Sequence, residues 1–408
     1  MQIIEIVLLL ILVYTWAGYY LLLVILGRLT SSRTKDFNCQ EPQYPRIAIL
    51  FSAYNEEKVI QRKLENALEA IAEYNKLSPK VTANQIWVGI DGATDTTARI
   101  ALEFSRAHPE IRVVEFNMRR GKTAVLKALV SLCTEDEKNK PEILVFTDAN
   151  TMFQPHALER LVQPFSDPAV GCVCGRLRLV EYQDKKQQLN TELFYWQDET
   201  CLKEMESNLD SCTSVNGGIY AIRTHLFWKD IPDNTIVDDF IIGMKVREKG
   251  YRIRFVSDAV GEEFAPPDWK SWWRRRVRIG TGNYQALWLC RKCLLPTYGK
   301  FAWMFWSHKV LRWFTPHIIL GLFVINLLDC VFSFWWRTWS AVSFLRCMAL
   351  AMIILTVLAG RLLSRPVSLF GRLIRIFSDF IVAQIALLYG FWKVCTGNIK
   401  GLWEPTAR

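Results

Sequence analysis

Three textures of apolar and polar positions follow one another along the chain. Positions 3–26 are almost uniformly apolar and hold no Lys or Arg; as a helix this run would reach ~36 Å, enough to cross a bilayer. From 45 to 150, short apolar blocks alternate with stretches where apolar residues return every three or four positions. The blocks 46–52, 86–90, 112–115 and 143–147 read as strands. Between the first two, Ile60, Leu64, Ala67, Leu68 and Ile71 line one face of a helix. Ile100, Ala101 and Phe104 line another, with Asp95 or Thr96 placed as its N-cap. This alternation predicts a parallel, doubly wound sheet covered on both faces, with its ligands at the carboxyl ends of the strands.

Beyond 150 the rhythm changes. Positions 171–180 read as a long strand, 190–205 as a helix, 216–218 as a tight turn and 219–222 as another strand; a helix opens at Asp238 and stops at Gly250, a suitable C-cap. Asp238 at a helix start is by itself only a cap. Between 269 and 290, Trp272 and Trp273 stand beside Arg274, Arg275, Arg276 and Arg278. This pattern suits equally a helix lying on a membrane surface and a site that grips phosphates and sugars. Runs at 314–335 and 341–362, with a shorter one at 377–392, are long and apolar enough for further spans. Asp329, near the end of its run, is expected to be solvated rather than functional.

Composition agrees with a membrane protein: 51% of the 408 residues are hydrophobic and 16 are Trp. The first run lacks the basic start of a signal peptide and reads as an uncleaved anchor. Arg28, Arg33 and Lys35 directly after it place the following domain on the cytoplasmic side, and the basic connection 361–375 agrees with that orientation. Three spans after a cytosolic domain would put the basic tail 393–408 outside, so the last run is re-entrant or departs from the charge rule. The net charge of +10 gathers beside apolar runs, at 274–278, 361–375 and 393–400, a membrane-surface pattern rather than a nucleic-acid one. Eleven Cys without framework spacing are expected to be mostly reduced, and Cys290 and Cys293, a lone C-x-x-C, do not make a zinc site.

The chemistry-bearing residues fall where the strands end. Asn55, Asp91, Lys122 and Asp148 each follow a strand, so a doubly wound sheet would bring them to one crevice. Asp148 and Asn150 offer two oxygen ligands one residue apart, which suits a hard divalent cation and a diphosphate.

In this order the motifs resemble the membrane-integrated glycosyltransferase family 2, the group of hyaluronan, chitin, cellulose and poly-N-acetylglucosamine synthases; the resemblance covers 45–282. Ala53-Tyr54-Asn55-Glu56 is similar to its first motif and Asp91-Gly92-Ala93-Thr94-Asp95 to its second. The resemblance implies nucleotide contacts for Ala53, Asn55, Glu56 and Asp91, and phosphate contact for Lys122. Asp148-Ala149-Asn150 stands for the D-x-D metal motif with Asn in place of the second Asp, implying Mg²⁺ or Mn²⁺ held more weakly than usual. Gly217 and Gly218 would lie against the donor sugar, and Val237-Asp238-Asp239 corresponds to Thr-Glu-Asp, making Asp239 the general base. In the Q-x-x-R-W position, Arg275 replaces Gln, Arg278 is kept and Ile279 replaces Trp, which puts the acceptor side in doubt.

The implied fold class is α/β, a Rossmann-like nucleotide-diphospho-sugar transferase (GT-A type) domain between transmembrane helices. Its expected divisions are an N-terminal helix at 1–30, the transferase domain at 40–265, an amphipathic interface segment at 266–312, C-terminal helices at 313–395 and a tail at 396–408. The implied activity is inverting transfer of a sugar from a nucleoside diphosphate, uridine diphosphate first, to a growing polysaccharide at the cytoplasmic membrane, with a glycan or a lipid as acceptor. Partners would be the donor, the acceptor, the membrane and a second copy or an export subunit, with no nucleic acid. A single-addition transferase acting on a membrane lipid and an inactive nucleotide-binding scaffold are the alternatives. An Asp of ordinary pKa, about 3.9, would serve as base without tuning.

Overall fold

The structure, a computed structural model, describes residues 2–30, 44–77, 84–180, 189–264, 269–362 and 368–399. Arg33, Lys35, the middle of the connection 361–375 and the tail from 400 lie outside the described residues.

Eight strands, β1 Ile47–Ala53, β2 Gln85–Asp91, β3 Ile111–Phe116, β4 Ile143–Thr147, β5 Met152–Phe153, β6 Val170–Val180, β7 Ile219–Arg223 and β8 Arg252–Phe264, form one sheet. Their order is β3-β2-β1-β4-β7-β6-β8-β5. The first four of that order run parallel, as the alternating pattern predicts. Side chains alternate between the faces: Ile47, Ile49 and Phe51 of β1 pack with Ile60, Leu64, Ala67 and Ile71 of helix Ile60–Leu77, whereas Ala48 and Leu50 join Val125, Leu126 and Leu129 of helix Lys122–Cys133. Both faces are covered, so β1 is apolar at nearly every position. Each fully buried Ile or Phe there contributes about 1.5–3 kcal/mol.

Beyond β4, where the alternating pattern stops, the sheet becomes mixed. β7 enters antiparallel between β4 and β6, and β5 is antiparallel to β8. The register explains what this achieves. Thr147 at the end of β4 pairs with Ile219 at the start of β7, so the turn 216–218 arrives at the same edge as Asp148. A parallel strand would have started at the opposite edge of the sheet.

Four helices are long and apolar enough to cross a membrane: Gln2–Leu29, Lys300–Trp335, Ala341–Leu362 and Leu369–Cys395. Tyr19 and Leu23 of the first and Phe301, Met304, Phe305 and Trp313 of the second belong to the same core as Phe146 of β4, so the sheet and these two helices pack as one body. Helix Trp269–Leu289 crosses the last span closely: a Cβ on Gly390 would sit 2.6 Å from the Thr281 nitrogen. Its Trp269 stacks on Trp272 at 4.6 Å and carries the Arg361 guanidinium 3.7 Å from its ring centroid.

One further expectation changes. Asp329 is not simply solvated: its carboxylate lies 3.2 Å from Arg346 on the next span, and Arg346 also pairs with Glu5 on the first. A carboxylate in an apolar segment here answers a cation across the bundle. The cysteines are mostly reduced, as expected: eight described ones are free thiols, and Cys330 and Cys347, beside those same two residues, form a disulfide.

Candidate active site

The site grows from the ends of β1, β2, β4 and β7. After β1, Asn55 takes the left-handed conformation (φ 52°), where its side chain locks onto the turn after β2: Oδ1 accepts the Thr94 N–H at 2.8 Å. Ala53 closes β1 and is buried, and the buried Glu56 donates its backbone N–H to Thr97 Oγ1 at 2.8 Å. After β2, both oxygens of the buried Asp91 are engaged, accepting the backbone N–H of Arg120 at 2.6 Å and of Gly121 at 3.0 Å. Asp91 thereby shapes the loop that delivers Lys122. Gly92 permits the tight approach, because a Cβ there would sit 2.6 Å from the Arg119 nitrogen at a φ of +62°. Asp95 supplies the capping oxygen of the next helix, accepting the Thr97 N–H at 3.0 Å.

Lys122 is the hub. Its Nζ donates to Asp148 Oδ1 at 2.6 Å and lies 3.8 Å from Asp238 Oδ2. Burial opposes its charge, but Asp148, Asp238 and Asp239 together push its pKa above the usual lysine value. Burial likewise works against the charge on Asp148, yet Lys122, Arg278 and Lys63 hold its carboxyl below the usual range.

Asp238 and Asp239 open helix Asp238–Glu248. Burial pushes Asp238 up to about 6 against the pull of Lys122, and among the described residues its Oδ2 has no hydrogen-bond partner. Burial raises Asp239 as well, which corrects the expectation of an untuned base. The Asp239 carboxylate rests on Gly217, where an added Cβ would lie 2.8 Å from Oδ2; one on Gly218 would meet Thr151 Oγ1 at 2.7 Å. The two glycines are the space into which the Asp239 carboxylate and the β4 turn close. Arg278 reaches this cluster from helix Trp269–Leu289, within electrostatic range of all three carboxylates, whereas Arg275 turns to Glu263 at 3.4 Å. Burial and the neighbouring Arg275 lower the pKa of Arg278.

The pair Asp148 and Asn150 fits a hard cation in its chemistry: an ionised carboxylate and a carboxamide, both partly open to the crevice. Among the described residues no three His, Cys, Asp or Glu side chains form a cage, so a cation here would complete its shell with phosphate and water oxygens.

Residues 45–282 match the model of the glycosyltransferase like family 2. The chain belongs to this family. Among curated relatives of this family-2 chain, Probable glycosyltransferase YdaM of Bacillus subtilis is 27% identical over 250 residues, 59% of this chain and 56% of YdaM. A poly-beta-1,6-N-acetyl-D-glucosamine synthase of Staphylococcus epidermidis is 23% identical over 252 residues, 61% of this chain and 57% of the synthase. The matches thus span little more than half of these relatives. The solved structure of the mannosyltransferase PcManGT from Pyrobaculum calidifontis, in complex with GDP-Man and Mn²⁺, has a TM-score of 0.64 at 19% identity, covering 96% of this chain and 98% of that one. The likeness establishes a shared fold that extends through the flanking helices.

Two features of this family-2 site escaped the sequence reading. Lys63 is fully buried, and its Nζ donates to Thr147 Oγ1 at 3.0 Å and to the Thr151 carbonyl, bracketing the Asp148–Asn150 turn from behind. Its burial lowers its pKa to about 7. The signal was a Lys on the apolar face of a helix, between Ile60 and Leu64. The second feature is a buried cluster of Glu199, Lys203, Glu206, His308 and Lys309 under the turn 211–217. Its only trace in sequence is three charges at positions i, i+4 and i+7 of one helix.

Proposed function

We propose that the protein is an inverting glycosyltransferase that moves a hexose from a nucleoside-diphosphate sugar to a growing polysaccharide at the cytoplasmic face of a membrane. The observation that carries this reading is the convergence of Asp239, Gly217, Asp148, Lys122 and Arg278 in one crevice. A carboxylate suited to act as base lies beside cations suited to a leaving diphosphate, a combination a nucleotide-binding scaffold would not need. Asp239 takes the proton of the acceptor hydroxyl as that oxygen attacks the anomeric carbon. The new carbon–oxygen bond forms as the bond from the anomeric carbon to the β-phosphate oxygen breaks. Lys122 and Arg278 neutralise the departing diphosphate. Mg²⁺ or Mn²⁺ held by Asp148 and Asn150 would add Lewis-acid neutralisation of the same phosphates.

Asn55, Glu56 and the Asp91-shaped loop take the nucleotide, and Gly217 and Gly218 the donor sugar. Asp238, one residue before the base, stabilises the charge of Lys122. Arg275, paired with Glu263, is assigned to the acceptor side. The polymer named for the relatives makes N-acetylglucosamine on uridine diphosphate the first donor to test. The four long apolar helices and Arg28 support a multi-pass arrangement with the transferase domain in the cytosol. Four spans are few for an export path, so a second copy or a partner subunit would complete one.

The test is a panel of radiolabelled nucleotide sugars with membranes containing the protein, with Mg²⁺, Mn²⁺ or a chelator, and the product both sized and extracted into solvent. Cation-dependent label in a high-molecular-weight product is expected. Label only in a solvent-soluble product would replace the polymer with a lipid acceptor. No transfer with any donor would overturn the function.

A further inference from the structure

The buried cluster under the turn 211–217 joins the site to two of the apolar helices. Glu206 Oε1 accepts from Tyr19 of the first span at 2.6 Å and faces His308 Nδ1 of the second at 2.6 Å; its Oε2 accepts the Thr213 N–H at 3.0 Å. Glu199 accepts Ser214 Oγ at 3.0 Å, faces His308 Nε2 at 3.1 Å and pairs with Lys309. Lys203 lies 3.8 Å from Glu199 and donates to Asn216 Oδ1. Asn216 is held on its other side as well, since its Nδ2 donates to the Gly175 carbonyl at 2.7 Å and its backbone N–H to Cys174 Sγ at 3.2 Å. The next residue is Gly217, on which the Asp239 carboxylate rests.

We propose that Lys203 is a positioning residue for the transfer reaction, fixing Asn216 so that Gly217 seats the carboxylate of Asp239, with its own position set by the membrane helices through Glu199, His308 and Lys309. The inference rests on the assignment of Asp239 as base. Geometry makes the case: Lys203 is 3% exposed and Asn216 is 6% exposed, so neither is available to substrate, and both hydrogen-bonding ends of the Asn216 carboxamide are used to hold the turn. Lys203 thus links the turn, through Asn216, to Glu199, which in turn is held by His308 and Lys309 of the second apolar helix, so the turn and that helix are fixed in one buried network. The charge of Lys203 also acts on Asp239, opposing the rise that burial imposes on its carboxyl.

The test uses the full chain in detergent or nanodiscs, comparing wild type, Lys203→Met, Asp239→Asn and the double variant for donor KM and turnover. Lys203→Met is expected to lower turnover about tenfold, because displacement of a catalytic group by a fraction of an ångström is costly, while donor KM stays within about twofold. In the Asp239→Asn background the same change is expected to cost less than about twofold, since a residue that acts through the base has nothing left to position. If Lys203→Met does not fold, Lys203→Gln is read in the same way. Wild-type turnover in Lys203→Met, or losses that multiply in the double variant, would overturn the inference alone. A wild type that transfers from no donor would overturn it together with the proposed function.

Discussion

The charge cluster at the strand ends and the one beneath Tyr19 both set carboxylates against cations, Asp with Lys and Arg in the first and Glu with Lys and His in the second. They differ in closure. Glu206 receives Tyr19, His308 and Thr213, and Glu199 receives Ser214, Lys309 and His308, so every carboxylate oxygen has a partner. At the strand ends three carboxylates share Lys122 and Arg278, and Asp238 Oδ2 has no hydrogen-bond partner among the described residues. A closed network holds elements together and fixes their positions. An open one leaves carboxyl groups with raised pKa values facing a crevice, as a site awaiting a ligand does.

The contrast is most severely tested at Glu206. Glu206→Ala leaves His308, Tyr19 and Thr213 without their acceptor and should cost about 3–5 kcal/mol, the usual penalty for breaking a buried pair, seen as a large drop in the thermal midpoint of the detergent-solubilised protein. Asp239→Asn should leave that midpoint nearly unchanged but reduce turnover by roughly 100-fold or more with nucleotide binding retained; wild-type turnover would remove Asp239 from its role.

Acidity separates the clusters too. Burial raises both Asp238, to about 6, and Asp239, and a base acts only when ionised. Turnover should therefore fall as pH is lowered, with the midpoint of the limb above an ordinary Asp value of about 3.9. A pH–rate profile flat down to pH 4 would show that burial does not tune the pair. The smallest effect concerns stability. Because the folded pKa of Asp238 lies above its unfolded value, its protonated form stabilises the fold, and that contribution is lost as pH rises through about 6. Asp238→Asn should accordingly raise the thermal midpoint at pH 8, by about 1 kcal/mol or a few degrees, and by less at pH 5.

Much of the open cluster could be read before any coordinates. Asn55, Asp91, Lys122 and Asp148 each follow an apolar block, and a parallel sheet has only one edge at which all such positions can meet. Gly217 and Asp239 were found through their motifs; their contact was not, because it depends on β7 running antiparallel beside β4. Lys63, Lys203 and His308 carried no motif. Neither the Asp329 ion pair nor the Cys330–Cys347 disulfide is legible in the sequence, because each partner lies on the neighbouring helix, where nothing in the local pattern points to it.

Sequence by itself determined the long apolar runs, the parallel half of the sheet and the order of the motifs, because the apolar pattern along a segment reports the surroundings that segment needs, and that information is local. Tertiary structure alone decided which charges face each other. Glu206 meets His308 from 102 positions away and Tyr19 from 187, and a buried charge is compatible with a sequence only through the partner the fold brings to it.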